Sequence, residues 1–378
     1  MKISIIGPVF PYRGGIAHFT TLLAKNMIQE GHDVQMISFK KQYPKWLYPG
    51  ESDKDFSETR EKIEADFIIT PFNPFSWRKA IGRIKEFNPE KVIFPWWVTF
   101  WGPCFQFIAR AMKRNGTSVT FLVHNTLPHE VSFIDRFITK NTLKFANHFI
   151  VMTDKEKQKL LRLLPEANEI KIAPHPIYNM FKPTGMDKNT ILAKLNLPQD
   201  KKFVLFFGFV RPYKGLPDLL DAMELCNKEN PQIHLIVAGE FWGDKDRYLQ
   251  QIQSLGIQDN THIFDHYIPD DDVAMYFEVS DLFVAPYTGG TQSGAVKTAL
   301  GFGLPSVVSN MINDKIIKLF STNCIITPSN DPKKLAMNLI QALKLPRQDP
   351  SHISMLFNQT WGNFVEKIVD SAEKRPTN

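Results

Sequence analysis

Short apolar runs alternate with helical patterns from one end of this chain to the other, in two series. The first series is "KISIIG", "DVQMISF", "ADFIIT", "EKVIFPWW", "SVTFLVHN" and "HFIVMT". The rhythm restarts after the Pro-rich passage "APHPIYNMFKPTG" with "KFVLFFGFV", "IHLIVAGE", "HIFDHY", "DLFVAPY", "PSVVSN" and "NCIITP". Continuous Val/Ile/Phe runs separated by helices fit parallel strands covered on both faces. Two such sets, joined near residues 174–184, predict an α/β protein of two doubly wound Rossmann-like domains facing a central cleft. The expected divisions are 1–176, 177–359 and 360–378, the last carrying a helix over about Thr360–Glu373. No strand follows that helix, so it is expected to pack back on the first domain.

Composition agrees with a globular protein and removes several function classes. The 378 residues, 43% apolar and 22% charged, are enough for two cores. Lysine and arginine exceed the acids by 45 − 39 = +6. That mild excess suits an anionic substrate or an anionic membrane face, and it is too diffuse to predict nucleic-acid binding. Cys104, Cys226 and Cys324 lie far apart, without metal-ligand spacing, and fit buried thiols in a reducing compartment. The opening "MKISIIGPVF" is expected to be a buried strand, not a signal peptide, and no apolar run is long enough to span a bilayer. A soluble, cytoplasmic protein is expected.

Ligands of doubly wound sheets bind beyond the carboxyl ends of the strands, so the residues after each run are the informative ones. After the first strand, Gly14-Gly15 offers bare backbone before a helix, although its spacing is not the dinucleotide fingerprint. The alternative is a plain turn at a helix start. Trp96, Trp97, Phe100, Trp101, Phe105 and Phe107 could line an acceptor groove, touch a membrane or simply fill a core. His124 emerges at a strand end ahead of "NTLPHE", where an imidazole can hydrogen-bond a ligand hydroxyl or handle a proton. In "FFGFVRPYKG", Arg211 and Lys214 stand on one turn and can reach a single diphosphate. "YTGGTQSGAVKTALG" sets small, donor-rich residues at a strand-to-helix turn with no acid in the helix. That pattern suits an anion held by unpaired N–H groups, or an ordinary N-cap. The Asp-x-Asp tripeptides at Asp53–Asp55, Asp244–Asp246 and Asp270–Asp272 resemble a metal clamp but are too common to carry weight. They are expected in solvated loops, and no metal site is expected.

Taken together, "FPYRGGIAHFTTLLA", "FPWWVTFWGPCF", "VHNTLPHE", "APHPIYNMF", "FGFVRPYKGLPDLLDAM", "SDLFVAPYTGGTQSG" and "ALGFGLPSVVS" resemble, in order, the blocks of a known family. It is the retaining nucleotide-sugar glycosyltransferases of family 4, which have the two-domain GT-B fold. The resemblance covers nearly the whole chain and implies a role for each position. Gly14 and Gly15 would approach the donor phosphates and sugar, and His124 would sit by the donor sugar. Arg211 and Lys214 would neutralise the diphosphate. Thr291, Gln292, Ser293, Gly294, Ala295 and Thr298 would hold the distal phosphate and the sugar. Backbone at Tyr267 and Ile268 would pair with the nucleobase.

Two positions depart from the family pattern. Its usual pair of acids falls on Gly290 and Thr298, with Thr291, Gln292 and Ser293 the available replacements. Its usual arginine falls on Phe209, with Arg211 in its stead. "RPYKG" together with "TQSG" resembles a subset of the family that carries both. The resemblance implies metal-independent, retaining transfer of a hexosyl group from a UDP- or GDP-sugar. The acceptor would be a glycan or lipid-linked molecule in bacterial surface polysaccharide synthesis, with no cofactor. Peripheral membrane contact through the aromatic segment at Trp96–Phe107 is a further expectation. The competing readings are an inverting transferase or epimerase on the same fold, and a nucleotide-sugar-binding protein without turnover.

Overall fold

A computed structural model describes residues 1–44, 52–58, 62–128, 131–243, 245–290, 292–312 and 315–370. Its contacts divide the chain into two units. The first runs to His175, apart from Ser57 and Glu58, and resumes at Gln359; the second takes those two residues and Pro176–Asn358.

Unit 1 holds β1 (Lys2–Ile6), α1 (Gly15–Gln29), β2 (Asp33–Phe39), β3 (Asp66–Ile69), α2 (Pro74–Phe87) and β4 (Lys91–Trp96). It continues with α3 (Gly102–Arg114), β5 (Ser118–Val123), α4 (Phe133–Leu143), β6 (His148–Val151), α5 (Asp154–Leu163) and β7 (Ile170–Ile172). The seven strands are parallel in the order β3-β2-β1-β4-β5-β6-β7. Burial on both faces explains their unbroken apolar runs: β4 is buried at every position and β1 at all but its first. Side chains start the helices. Asn73 accepts from the Phe75 and Ser76 N–H groups to cap α2, and Ser132 and Asp135 form a reciprocal capping box on α4. At Gly102 a Cβ would lie 2.2 Å from Ile138, so only glycine lets α3 start this close to α4.

Unit 2 holds α6 (Lys188–Lys194), β8 (Lys202–Phe207), α7 (Leu216–Glu229), β9 (Ile233–Ala238), α8 (Lys245–Ser254), β10 (Thr261–Phe264) and α9 (Asp270–Val279). Then come β11 (Leu282–Ala285), α10 (Gly294–Gly301), β12 (Ser306–Ser309), β13 (Cys324–Thr327), α11 (Pro332–Ala342) and the first nine residues of α12 (Pro350–Val369). Its six parallel strands follow the order β10-β9-β8-β11-β12-β13. Leu219, Leu220 and Met223 of α7 and Leu335 and Leu339 of α11 close one core with Val204, Leu235 and Val284 of the sheet. Arg347 caps the carboxyl end of α9, donating to the carbonyls of Phe277 (2.6 Å), Glu278 (3.1 Å) and Ser280 (2.6 Å). A cation there answers both the orphan carbonyls and the helix dipole.

The two-domain α/β architecture is the one expected, with differences in detail. The three-residue β7 was not anticipated, because a strand so short leaves no readable period. The last helix starts at Pro350, ten residues earlier than expected, and its described part ends by Asp370. From Gln359 onward it belongs with unit 1, where Trp361 and Phe364 lie 5.4 Å from the ring of Phe19. The buried Lys91 donates to the Ile368 carbonyl at the end of that helix. All three cysteines are buried and unpaired. The expectation of solvated Asp-x-Asp loops needs correction: Asp55 is buried, and Asp270–Asp272 form the first turn of α9 with Asp270 buried. Carboxylates there are stabilised by the helix N-terminus. Asp244 lies outside the described residues.

Candidate functional site

In unit 2 the strand order reverses between β8 and β11, so the connections leaving these neighbours run to opposite faces of the sheet and leave a crevice at their carboxyl ends. The two stretches singled out from sequence, "RPYKG" after β8 and "YTGGTQSG" after β11, fall on either side of this reversal. They are locked together. The Thr288 N–H donates to the Tyr213 carbonyl at 2.8 Å. Gly215, at φ +71°, would place a Cβ 2.0 Å from the Pro286 carbonyl oxygen, an approach only glycine permits.

Among the described residues, the cations of this turn have no acid paired with them. The Lys214 ammonium lies 5.5 Å from the centre of the Tyr287 ring, and no carboxylate among the described residues pairs with it. Burial, and then the charge of Arg211, push its pKa down to about 7. The Arg211 guanidinium rests on the Trp242 ring, 4.2 Å from its centroid, and Trp242 in turn packs on Phe209 at 4.4 Å. Two adjacent cations with no counter-charge among the described residues store repulsion that an anion would relieve.

Across the turn, Ser293 is the N-cap of α10. Its hydroxyl accepts from the Val296 N–H at 3.3 Å and pairs with the Tyr287 hydroxyl at 3.0 Å. The N–H groups of Gly294 and Ala295 meet no acceptor among the described residues, and the first turn of α10 carries no acid. The amide nitrogen of Gln292 is buried and likewise unpaired among them. Gly290 adopts φ +93° over the Tyr213 ring. The Thr298 hydroxyl donates back to the Gly294 carbonyl at 3.1 Å, which occupies its proton inside the helix and leaves its oxygen able to accept. Of the three side chains expected to replace the family acid, Ser293 is consumed by capping, Gln292 remains available, and Thr291 lies outside the described residues. Tyr267 and Ile268 follow β10 at the same edge of the sheet, with Ile268 buried.

In unit 1 the corresponding reversal lies between β1 and β4. Gly14, at φ +98°, is the N-cap of α1, and a Cβ on Gly14 or Gly15 would meet no atom within 4 Å. The space before this helix start is open, and its first turn also lacks an acid. His124 follows β5, buried among aromatics, with the Phe19 ring 4.8 Å away. Burial and then His175 push its pKa down to about 3, and its Nε2 has no partner among the described residues. A ring held neutral at ordinary pH can hydrogen-bond a ligand and is poorly placed to shuttle protons near neutrality. His129 and Glu130 lie outside the described residues.

The aromatic segment is chiefly core. Trp96, Trp101 and Phe105 are almost fully buried, and Trp101 stacks on Phe39 at 4.2 Å. Trp96 donates its indole N–H to the Thr126 carbonyl at 3.4 Å. Thr126 donates through both its N–H and its hydroxyl to the buried Glu156, at 2.8 and 2.9 Å. These contacts hold the loop that carries His124. Sequence reasoning missed Glu156, in the first turn of α5 after β6, and Trp242, which follows β9 in "GEFWGD"; both could have been found by the strand-end rule.

Residues 13–178 match the family described as Glycosyltransferase Family 4, and residues 187–354 match Glycosyl transferases group 1. The chain belongs to glycosyltransferase family 4. This family 4 chain is 25% identical to YtcC of Bacillus subtilis over 255 residues, 61% of its own length and 63% of the relative's. It is 27% identical to an uncharacterized glycosyltransferase of Haemophilus influenzae over 370 residues, 94% of each chain. Its fold is similar to that of Anabaena HepE, whose crystal structure contains UDP-glucose. The TM-score is 0.72 at 16% identity, over 98% of this chain and 100% of HepE. The matched segments of the family 4 chain thus cover most of each unit, and Arg211, Lys214 and the start of α10 lie in the second.

Proposed function

We propose that the protein transfers a hexosyl group from a nucleoside diphosphate sugar to a glycan or lipid-linked acceptor, with retention of configuration and without a metal. The observation that carries this reading is the pair Arg211 and Lys214, with no acid partner among the described residues, on the turn facing α10, whose Gly294 and Ala295 N–H groups meet no acceptor among those residues. Breaking the bond between sugar and diphosphate builds negative charge on the leaving phosphate. Fixed cations and a helix N-terminus stabilise that charge more than they stabilise the ground state. The HepE structure with UDP-glucose supports a sugar nucleotide as donor for a chain of this fold.

In the proposed step the bond from the anomeric carbon to the diphosphate oxygen breaks while the acceptor oxygen bonds to that carbon from the same face. The acceptor's proton passes to the leaving phosphate oxygen. No side chain is required as a nucleophile. His124, held neutral, serves as a hydrogen-bonding group for the donor sugar. Charge stabilisation on the leaving diphosphate is assigned to Arg211, Lys214 and the N-terminus of α10.

The test is binding of UDP, GDP, ADP and their sugars with and without magnesium, followed by transfer to glycan acceptors with the product's anomeric configuration read by NMR. One nucleotide series bound regardless of metal, with a retained product, is expected; an inverted product rejects the same-face step. The internal bond of Thr298 favours one second reading, a binding protein that has lost grip on the sugar hydroxyls. Nucleotide binding with no transfer to any acceptor would establish it.

A further inference from the structure

Helix α4 places its apolar side chains on the outside. Phe133, Ile134 and Phe137 are 83%, 66% and 63% exposed, and Val131 ahead of the helix is 41% exposed. Its inward face is instead built from Thr139, Thr142 and Leu143, all fully buried. The outer stripe alternates aromatic and cation at helical spacing: Phe133, Arg136, Phe137, Lys140 and Lys144 follow one another at intervals of three, one, three and four residues. All five are exposed. The sole acid of α4, Asp135, is half-buried and bound to Ser132 and Thr99.

The patch does not end there. Thr99 belongs to a short 3-10 turn, Thr99–Trp101, whose Phe100 ring lies 5.4 Å from that of Phe72. Phe72 and Phe75, at the start of α2, are 65% and 77% exposed, with the Arg78 guanidinium 5.8 Å from the Phe75 ring. These aromatics follow β3, β4 and β5 and so share the carboxyl edge of one parallel sheet. An apolar surface of this kind marks an interaction site.

We propose that this face docks unit 1 on an anionic lipid bilayer. Aromatic side chains would sink into the headgroup boundary while Arg136, Lys140 and Lys144 remain at phosphate level. The interleaved cations select this occupant. Protein interfaces are depleted of lysine at their core, whereas an interfacial helix on an anionic membrane needs cations beside its apolar residues. The assignment also shifts membrane contact from the tryptophans of the Trp96–Phe107 segment, which are core or half-buried, to α4 and the start of α2, with Phe100 between them. It goes beyond the transferase reading, because bilayer binding can be measured whether or not glycosyl transfer occurs.

The experiment is co-sedimentation of the full chain with vesicles of phosphatidylcholine alone, and of phosphatidylcholine mixed with phosphatidylglycerol. Three proteins are compared: wild type, Phe133→Ser/Phe137→Ser, and Arg136→Gln/Lys140→Gln. Wild type should partition to the mixed vesicles, and less so as salt rises. Each double variant should lose on the order of tenfold or more of that partition. The substituted side chains are exposed, so melting temperatures should match and a folding defect is not the cause. Absence of wild-type binding to the anionic vesicles overturns the proposal, as does equal partition of all three proteins. Concentration-dependent dimerisation abolished by Phe133→Ser/Phe137→Ser, without vesicle binding, also overturns it and assigns the face to a second copy of the chain.

Discussion

The guanidinium of Arg211 lies 4.2 Å from the ring centroid of Trp242, with the Phe209 ring packed on that same indole. The extensions of β8 and β9 bring these residues together: the Val210 N–H donates to the Glu240 carbonyl at 2.9 Å, and the Trp242 N–H to the Val210 carbonyl at 3.0 Å. A π face holds the guanidinium without occupying its N–H groups, where a carboxylate would. In this chain, then, an arginine moved two places along the turn comes with an aromatic platform that orients it. Removing the ring as Trp242→Ala should weaken binding of a nucleoside diphosphate sugar by about 2- to 30-fold, the range of a cation–π contact. Trp242→Phe should retain part of it. Calorimetric titration of both variants checks this, and an unchanged affinity in Trp242→Ala would remove the platform from the site.

Lys214 gives a prediction in pH. Its folded-state pKa of about 7 is below the ordinary lysine value of 10.5. Below about 7 both folded and unfolded states carry the proton, and the full cost of the buried charge is present. Between about 7 and 10.5 the unfolded chain holds the proton and the folded one does not, so this group's contribution to stability improves as pH rises. Ligand binding has the opposite sign, since a diphosphate wants the ammonium. Affinity for a UDP- or GDP-sugar should fall as pH rises above about 7, and Lys214→Met should bind weakly at all pH values. The same variant should melt about 2–4 °C higher at neutral pH, given a gain on the order of 1 kcal/mol. Thermal shift with and without nucleotide reads both effects.

His124 should leave no mark on a rate profile near neutrality, because burial holds it at about 3. His124→Asn is expected to lower kcat by roughly 10- to 100-fold, as befits one hydrogen bond to the reacting sugar, without moving any inflection between pH 6 and 8. The ring does bear on acid stability. A folded pKa below the ordinary 6.5 means stability is lost as pH falls through the interval from 6.5 to about 3. His124→Phe should therefore flatten part of the acid limb in a urea melt series.

Gly215 joins the two donor-bearing turns and tolerates no side chain. Gly215→Ala adds left-handed backbone strain at φ +71° to a Cβ that would lie 2.0 Å from the Pro286 oxygen. The expected loss is about 3 kcal/mol or more. Chemical denaturation gives the number. Nucleotide affinity in the surviving folded fraction should also fall, because Thr288 is held to Tyr213 by the same approach.

The strand rhythm, the division into two parallel sheets and the turns "RPYKG" and "TGGTQSG" were legible in the sequence. Each rests on a local signal: a period, a run length, or small residues where a strand meets a helix. Side-chain assignments within those turns were less legible. Nothing in "TQSGAVKT" says that the Thr298 hydroxyl turns back to Gly294 while Ser293 caps the helix, since both choices depend on how the turn closes. Trp242 reaches Arg211 only because β8 and β9 are neighbours, and Glu156 reaches Thr126 only because α5 folds against the loop after β5.

By itself, then, the sequence determined which segments form the strands of each sheet and which turns carry donors, because periodicity and turn chemistry act between residues close in the chain. The tertiary structure decided which of those groups remain free for a ligand, what charge state they hold, and which aromatics face outward. Those properties come from burial and from neighbours distant in sequence. The pKa values of Lys214 and His124, the platform under Arg211 and the outward stripe of α4 all exist only once the chain has folded.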